Sequence, residues 1–166
     1  MTISTLKDLY IDQLQDLYSA NRQALQVTKE LKDAASSDQL RKALAAGCDG
    51  IEQGMGQIKT LIEGHDANPR GEHCKGMEGL VAEARAHGVE ADFSDEDVRD
   101  ASIIAQYQRM SHYGISGYGT VCAFAKRLGL EDDASVLHEC LENTRGGDEH
   151  MTRIASGEVN PAAAEA

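Results

Sequence analysis

Four side chains in this sequence could take part in metal chemistry. Asp49 and Glu52 stand three residues apart, and His112 and Asp148 follow in two later segments. Carboxylate oxygens and imidazole nitrogens are ligands that iron and manganese take in proteins. Side chains at i and i+3 share one face of a helix. These four residues are therefore the candidate metal ligands.

The other polar positions on the same helical stripes carry no charge. They are Asn21, Gln108, Ser111 and Thr144. Two-metal sites in helical bundles use several inward glutamates and histidines, and neutral oxygens do not offset the cost of dehydrating a dication. We therefore expect no resident metal, no other cofactor and no catalytic residue. The alternative is a residual iron or manganese site at the four candidates, handling oxygen or peroxide.

A group of glycines suggests a different use of the interior. Missing side chains either let two helices approach closely or leave a void. The glycines lie at the level of Ser111 and Thr144 and are Gly114, Gly117, Gly146 and Gly147. A second alternative is therefore a small cavity that holds a small molecule, whose identity the sequence does not give.

Composition excludes several classes of partner. The 166 residues carry a formal net charge of −12, which argues against binding nucleic acid or an anionic membrane. No apolar run is long enough to span a bilayer, and residues 1–10 do not form a signal peptide. The cysteines show no CxxC spacing and are expected to be reduced core thiols of a cytoplasmic protein. They are Cys48, Cys74, Cys122 and Cys140.

Apolar residues at steps of three and four predict four long helices, over about 5–35, 39–63, 94–128 and 131–155. Asp38 is the expected N-cap of the second, the Ser94–Asp97 pair is expected to cap the third, and Gly129 to end it. The second helix also holds four glycines within ten residues, each costing roughly 1 kcal/mol relative to alanine. Residues 65–94 are expected to be a crossover with one short helix that stops at Gly88.

The lengths of the connections predict the topology. Two short links make two antiparallel helical hairpins, and one long crossover joins them, which is the ferritin-like arrangement of a four-helix bundle. We therefore predict an all-α ferritin-like bundle over residues 1–156. Residues 157–166 are expected to be a disordered tail.

Several stretches resemble the YciE/YciF-type ferritin-like family, more closely its YciF side. They are TLKDLYIDQLQDLYSA, CKGMEGLVAEA, VRDASIIA, HYGISGYGT and LENTRGGDEHMTRIA, and together the similarity spans residues 5–155. The resemblance implies a ferritin-like bundle, a homodimer, and a cytosolic protein linked to stress responses. It also implies a carboxylate-rich two-metal site in many members.

That metal site does not carry over residue by residue. Where such relatives read SAEKQ, this chain has Asn21, and where they read EHYE, it has Ser111 and Gly114 at the acid positions. Thr144 occupies the glutamate position of the fourth long helix, so the acids that remain are Asp49, Glu52 and Asp148. We therefore predict a non-catalytic protein with a structural, stress-associated or binding role.

Overall fold

The computed structural model of the protein describes residues 3–166 and contains six α-helices. They are α1 (Leu6–Ala34), α2 (Asp38–Gly64), α3 (Lys75–Arg85), α4 (Glu96–Arg127), α5 (Glu131–Ile154) and α6 (Asn160–Ala163). Two π-helical turns, Ala86–Glu90 and Ala155–Val159, continue α3 and α5. The four long helices confirm those predicted from the apolar spacing.

The connections confirm the predicted topology. Residues 35–37 join α1 to α2, residues 128–130 join α4 to α5, and residues 65–95 form the crossover that carries α3. Gly129 has φ 72°, a left-handed conformation that suits glycine just past the end of a helix. The fold is therefore a ferritin-like four-helix bundle of two helical hairpins.

Two of the predicted helix starts are wrong by one residue. The N-cap of α2 is Ser37, whose hydroxyl accepts a hydrogen bond from the Leu40 amide at 3.2 Å. The N-cap of α4 is Asp95, whose carboxylate accepts from the Asp97 and Val98 amides at 2.9 and 3.1 Å. A cap must reach an amide two or three residues on, and sequence alone left neighbouring polar residues as equal candidates.

Gly88 does not stop the crossover helix as predicted. It is buried inside the π-helical turn that follows α3. A Cβ at this position would lie 2.5 Å from Cδ2 of Leu31 on α1. The glycine therefore serves close packing of the crossover against α1 rather than the end of a helix.

The expectation of a disordered tail from residue 157 is corrected by the structure. The chain stays helical through Ala163, and Val159 is only 2% exposed. Val159 lies four residues after buried Ala155, so it continues the apolar face of α5. The Glu158 carboxylate also accepts a hydrogen bond from the Ser37 hydroxyl at 2.7 Å, which ties this segment to the start of α2.

Asp100 of α4 binds the short connection between α1 and α2 by hydrogen bonds. Its side chain is fully buried, and its two oxygens accept hydrogen bonds from the Ser36 and Ser37 amides at 2.8 and 2.7 Å. A carboxylate that accepts two amide hydrogen bonds satisfies backbone groups that helix geometry leaves free. One end of the bundle is thereby held closed.

The core divides into two clusters along the bundle axis. One cluster contains Leu31, Leu40 and Ile103, and the other contains Leu14, Ile58 and Leu137. All four cysteines are buried and unpaired. Within residues 3–166, no helix is long and apolar enough to cross a membrane.

Candidate functional site: a neutral cavity in the bundle

A cavity of about 390 Å³ lies in the middle of the bundle, where residues of both core clusters meet. All four long helices contribute to its wall. Asn21 comes from α1, Gly54 from α2, Gly114 and Tyr118 from α4, and Thr144 from α5. The side chains around it contain no carboxylate, and His150 is the single imidazole among the described residues that line it.

Two tyrosines of α4 reach across the bundle to glycines of α2. A Cβ on Gly54 would lie 2.6 Å from the Tyr118 hydroxyl oxygen, and a Cβ on Gly47 would collide with the Tyr107 hydroxyl. Both glycines are therefore required by the tyrosines opposite them. Their spacing of seven residues, two helical turns on one face, was the sequence signal that could have placed them inside.

Asn21 and Tyr118 form the polar centre of the cavity. The Asn21 side chain donates a hydrogen bond to the Tyr118 hydroxyl at 2.8 Å, and the two residues are 8% and 3% exposed. This bond uses one of the two amide protons and one lone pair of the phenol. The Tyr118 hydroxyl proton, the second Asn21 amide proton and the Asn21 carbonyl oxygen have no hydrogen-bond partner within residues 3–166. The pair therefore offers at least one donor and one acceptor to a guest.

The serine and threonine hydroxyls of the wall are satisfied by their own helices. Ser111 donates to the Tyr107 carbonyl at 3.1 Å, Thr144 to the Cys140 carbonyl at 2.8 Å and Thr28 to the Ala24 carbonyl at 2.7 Å. Such bonds to the residue four positions earlier use the hydroxyl proton locally. Apart from Asn21, Tyr118 and the Tyr107 hydroxyl, the buried part of the wall is therefore mainly apolar.

The Tyr107 and Tyr118 phenols and the Cys140 thiol are held in their neutral forms. Burial raises the pKa of the Tyr107 and Tyr118 phenols above the ordinary value of 10.0. Burial likewise raises the pKa of the Cys140 thiol to about 11. A group in a low-dielectric environment resists ionisation, so the phenols and this thiol carry no charge near neutral pH.

The four candidate metal ligands do not meet. Asp49 and Glu52 are exposed on the outer surface of α2, so they do not reach the bundle interior. His112 and Asp148 do pair, with Nε2 and Oδ2 3.0 Å apart, but the His112 side chain is 67% exposed. Within residues 3–166, no group of three or more His, Cys, Asp or Glu side chains is arranged to hold a metal ion. These residues do not fit a two-metal centre.

Neutral residues line the cavity at the positions where the resemblance places carboxylates. Asn21, Ser111, Gly114 and Thr144 all belong to its wall. Each replaces a potential metal ligand with a neutral group or with no side chain at all. The cavity thus lies at the positions where the resemblance implies metal-binding carboxylates.

The cavity predicted from the glycines is present, although two of the four glycines lie elsewhere. Gly114 and Gly147 line it. Gly117 instead packs against Leu17, where a Cβ would approach Cγ to 3.0 Å, and Gly146 is exposed. The sequence-based prediction also placed the void between the third and fourth long helices only, whereas α1 and α2 contribute as well.

The cavity opens to solvent between α2 and α5. Its exposed lining residues come from these two helices and are Ala46, Gly50, Gln53, Asn143, Gly147 and His150. Gly50 and Gly147 have no atom within 4 Å of the position a Cβ would take. Because these residues are small or flexible, the opening gives access to the interior without displacing a packed core side chain.

The model of the protein family "Domain of unknown function (DUF892)" matches residues 5–164 of the chain. The chain belongs to the DUF892 family. It is 32% identical to Protein YciF of Escherichia coli strain K12 over 161 residues, which cover 96% of each sequence. This result confirms the resemblance to the YciF side of the ferritin-like proteins.

Two solved structures agree with the fold. The crystal structure of the E. coli stress protein YciF matches with a TM-score of 0.88 and 32% identity, covering 95% of this chain and 99% of that one. YcfI from Rhodopseudomonas palustris, described as a candidate structural protein, matches with a TM-score of 0.84 and 27% identity. That match covers 90% of this chain and 94% of YcfI. The helical bundle is therefore shared with both relatives.

Proposed function

We propose that this protein is a non-catalytic member of its family with a binding or structural role in a stress response. The observation that carries the proposal is the neutral lining of the bundle interior. A pair of dications would need several carboxylates to replace their hydration shells, and the described residues that line the cavity include none. The bundle centre is therefore suited to holding an uncharged guest or to acting as a scaffold.

The acids that remain give no substitute for the lost carboxylates. Asp49 and Glu52 face solvent, and Asp148 is occupied by His112 and by the Gln108 amide, which donates to it at 3.1 Å. A single imidazole–carboxylate pair supplies two of the four to six ligands that these metals take. We therefore disfavour the alternative of an iron or manganese protein that handles oxygen or peroxide.

The names of the relatives support the broader role. YciF is described as a stress protein and YcfI as a candidate structural protein. We extend a stress-associated and cytoplasmic role to this chain as a proposal. The acidic net charge of −12 favours solubility and disfavours nucleic acid or anionic membrane as a partner.

The homodimer implied by the resemblance also stays a prediction. The described surface exposes three large hydrophobic side chains, Ile3, Val89 and Val98. They come from the N-terminal segment, the crossover and the start of α4. Light scattering coupled to size exclusion should give twice the chain mass of 17.9 kDa if the prediction is right, and the single mass if it is wrong.

Metal content tests the proposal directly. The protein is expressed with added iron and manganese, purified without chelator and analysed for bound metals by mass spectrometry. We expect far less than one metal ion per chain. One or more tightly bound iron or manganese ions per chain would contradict the proposal, and loss of that metal in a His112→Ala variant would locate it at the His112–Asp148 pair.

Small-molecule binding is the second candidate function, and the cavity favours it. Its volume of about 390 Å³ falls within the roughly 300–1,000 Å³ of typical ligand sites. Native mass spectrometry of the freshly purified protein tests this role, because a retained guest adds a discrete mass that disappears on denaturation.

A further inference from the structure

We propose that the central cavity binds a compact, uncharged, mainly apolar molecule that carries one hydroxyl or amide group. The polar group pairs with Asn21 and Tyr118, and the molecule enters between α2 and α5. This inference rests on the proposed binding role and adds the chemical class of the ligand, its anchor and its route.

The size of the cavity sets the size of the guest. A dry cavity of about 150 Å³ lined by apolar side chains is enough to bind benzene. The present cavity is more than twice as large, at about 390 Å³. It therefore accommodates a two-ring molecule of roughly ten to fifteen non-hydrogen atoms.

The charge of the cavity selects an uncharged guest. Its described lining has no carboxylate, lysine or arginine, and its one imidazole, His150, is exposed at the opening. The buried phenols of Tyr107 and Tyr118 stay protonated because burial raises their pKa. An ion moved from water into this space would lose its hydration without gaining a counter-charge. A charged analogue of the same shape should therefore be rejected.

The Asn21–Tyr118 pair selects a guest with one polar group. Both side chains are more than nine-tenths buried and line the cavity. Their mutual hydrogen bond leaves at least one donor and one acceptor unused, whichever way the Asn21 amide is oriented. A hydroxyl or amide satisfies both at once, whereas a plain hydrocarbon leaves both unpaired, which costs binding free energy.

The opening between α2 and α5 can be closed without disturbing the core. Leucines at Gly50 and Gly147 would extend into open space, since neither Cβ position has an atom within 4 Å. Gly56 and Gly146 provide a matched control pair. They lie on the same two helices, are exposed and equally free of neighbours, and do not line the cavity.

The probe for this test is 2-naphthol, with 2-naphthalenesulfonate as its charged counterpart. The chain has no tryptophan, so naphthol fluorescence can be excited beyond the tyrosine band without protein background. We expect saturable binding of one naphthol per chain and at least tenfold weaker binding of the sulfonate. The Gly50→Leu/Gly147→Leu variant should weaken naphthol binding at least tenfold, and the Gly56→Leu/Gly146→Leu variant should leave it unchanged.

The anchor is tested with Tyr118→Phe. We expect naphthol binding to weaken about fivefold, the effect of losing one hydrogen bond of about 1 kcal/mol, and naphthalene binding to change by less than twofold. Circular dichroism checks that every variant is folded, and leucines in place of helical glycines should not lower stability.

Several outcomes would overturn the inference. These are no saturable naphthol binding, equal binding of the sulfonate, or equal binding by the two leucine variants. Metal analysis of the same samples separates this failure from failure of the proposed function. If the protein is metal-free and does not bind naphthol, only the proposed ligand class is contradicted. If the protein carries bound metal, the proposed function itself is contradicted.

Discussion

The Tyr118 hydroxyl of α4 occupies the space that a side chain at Gly54 of α2 would need. A Cβ at position 54 would lie 2.6 Å from the hydroxyl oxygen but 3.7 Å from the ring carbon that bears it. The first distance is a collision and the second is ordinary van der Waals contact. A glycine at position 54 therefore leaves room for the Tyr118 hydroxyl oxygen, although glycine stabilises a helix less than alanine does.

A Gly54→Ala substitution should destabilise the protein. Alanine gains up to about 1 kcal/mol of helix propensity, but the collision with Tyr118 costs roughly 1–3 kcal/mol, so we expect a net loss of about 1 kcal/mol. Urea unfolding followed by circular dichroism measures the change. Gly56→Ala is the matched control, because it is exposed and has nothing within 4 Å, and it should raise stability.

The same substitution should reverse its sign when the tyrosine oxygen is absent. In a Tyr118→Phe background, Gly54→Ala meets only the ring at ordinary contact distance, so the helix-propensity term should dominate and stability should rise. A double-mutant cycle isolates this coupling. If Gly54→Ala has the same effect in both backgrounds, the proposed contact does not determine the glycine.

Removal of the Asp100 carboxylate should open the end of the bundle. Asp100→Ala leaves the Ser36 and Ser37 amides, now bonded at 2.8 and 2.7 Å, without acceptors. We expect a loss of roughly 2–4 kcal/mol in the free energy of unfolding. Asp92→Ala, at an exposed residue of the crossover, should change it by less than about 0.5 kcal/mol. A similar effect of the two substitutions would contradict the bracing role of Asp100.

The protein should lose stability at alkaline pH because its buried tyrosines resist ionisation in the folded state. Burial raises the pKa of four tyrosines above 10.0; they are Tyr10, Tyr107, Tyr113 and Tyr118. The unfolded chain ionises near pH 10 and the folded chain only at higher pH. The stabilising contribution is therefore complete below pH 10 and is lost as pH rises toward the folded values.

Tyrosinate absorbance and far-ultraviolet circular dichroism, recorded together, check this pH dependence. We expect most of the absorbance to appear in the same narrow pH interval as the loss of helix. Absorbance that rises as an ordinary titration centred at about pH 10, while helix content is unchanged, would show that these phenols are not protected by folding.

Sequence patterns predicted the fold and the apolar stripe of α2, but not the glycines on its inner face. Cys48 is buried and Ile51 and Met55 pack against the core, whereas Asp49 and Glu52, each one residue further along the helix, are exposed. The structure shows that Gly47 and Gly54 point inward. A glycine has no side chain to add to a hydrophobic period, so the period does not reveal which face of the helix the glycine occupies. A shift of one residue rotates the side-chain direction by about 100°.

The cavity was partly predictable from the types of residue at the centre of the bundle. Neutral residues at Asn21, Ser111, Gly114 and Thr144 indicated a missing metal cluster, and their positions do line the cavity. The hydrogen bond between Asn21 and Tyr118 joins residues 97 positions apart in sequence. Such a pairing depends on how the helices pack, which local spacing does not determine.

Restoration of the four carboxylates should restore metal binding. A variant with Asn21→Glu, Ser111→Glu, Gly114→Glu and Thr144→Glu directs four acids into the cavity wall. Carboxylates in that number can replace the water around a dication. We expect manganese to raise the melting temperature of this variant and to leave that of the natural chain unchanged. No response from the variant would show that these positions do not converge.

The most direct test of the neutral interior is a manganese titration followed by electron paramagnetic resonance. The signal of aqueous Mn²⁺ is lost when the ion binds to protein carboxylates. We predict that the natural chain leaves this signal at full intensity at concentrations where the four-carboxylate variant removes it. Stoichiometric loss of the signal with the natural chain, at one or more ions per protein, would contradict the account.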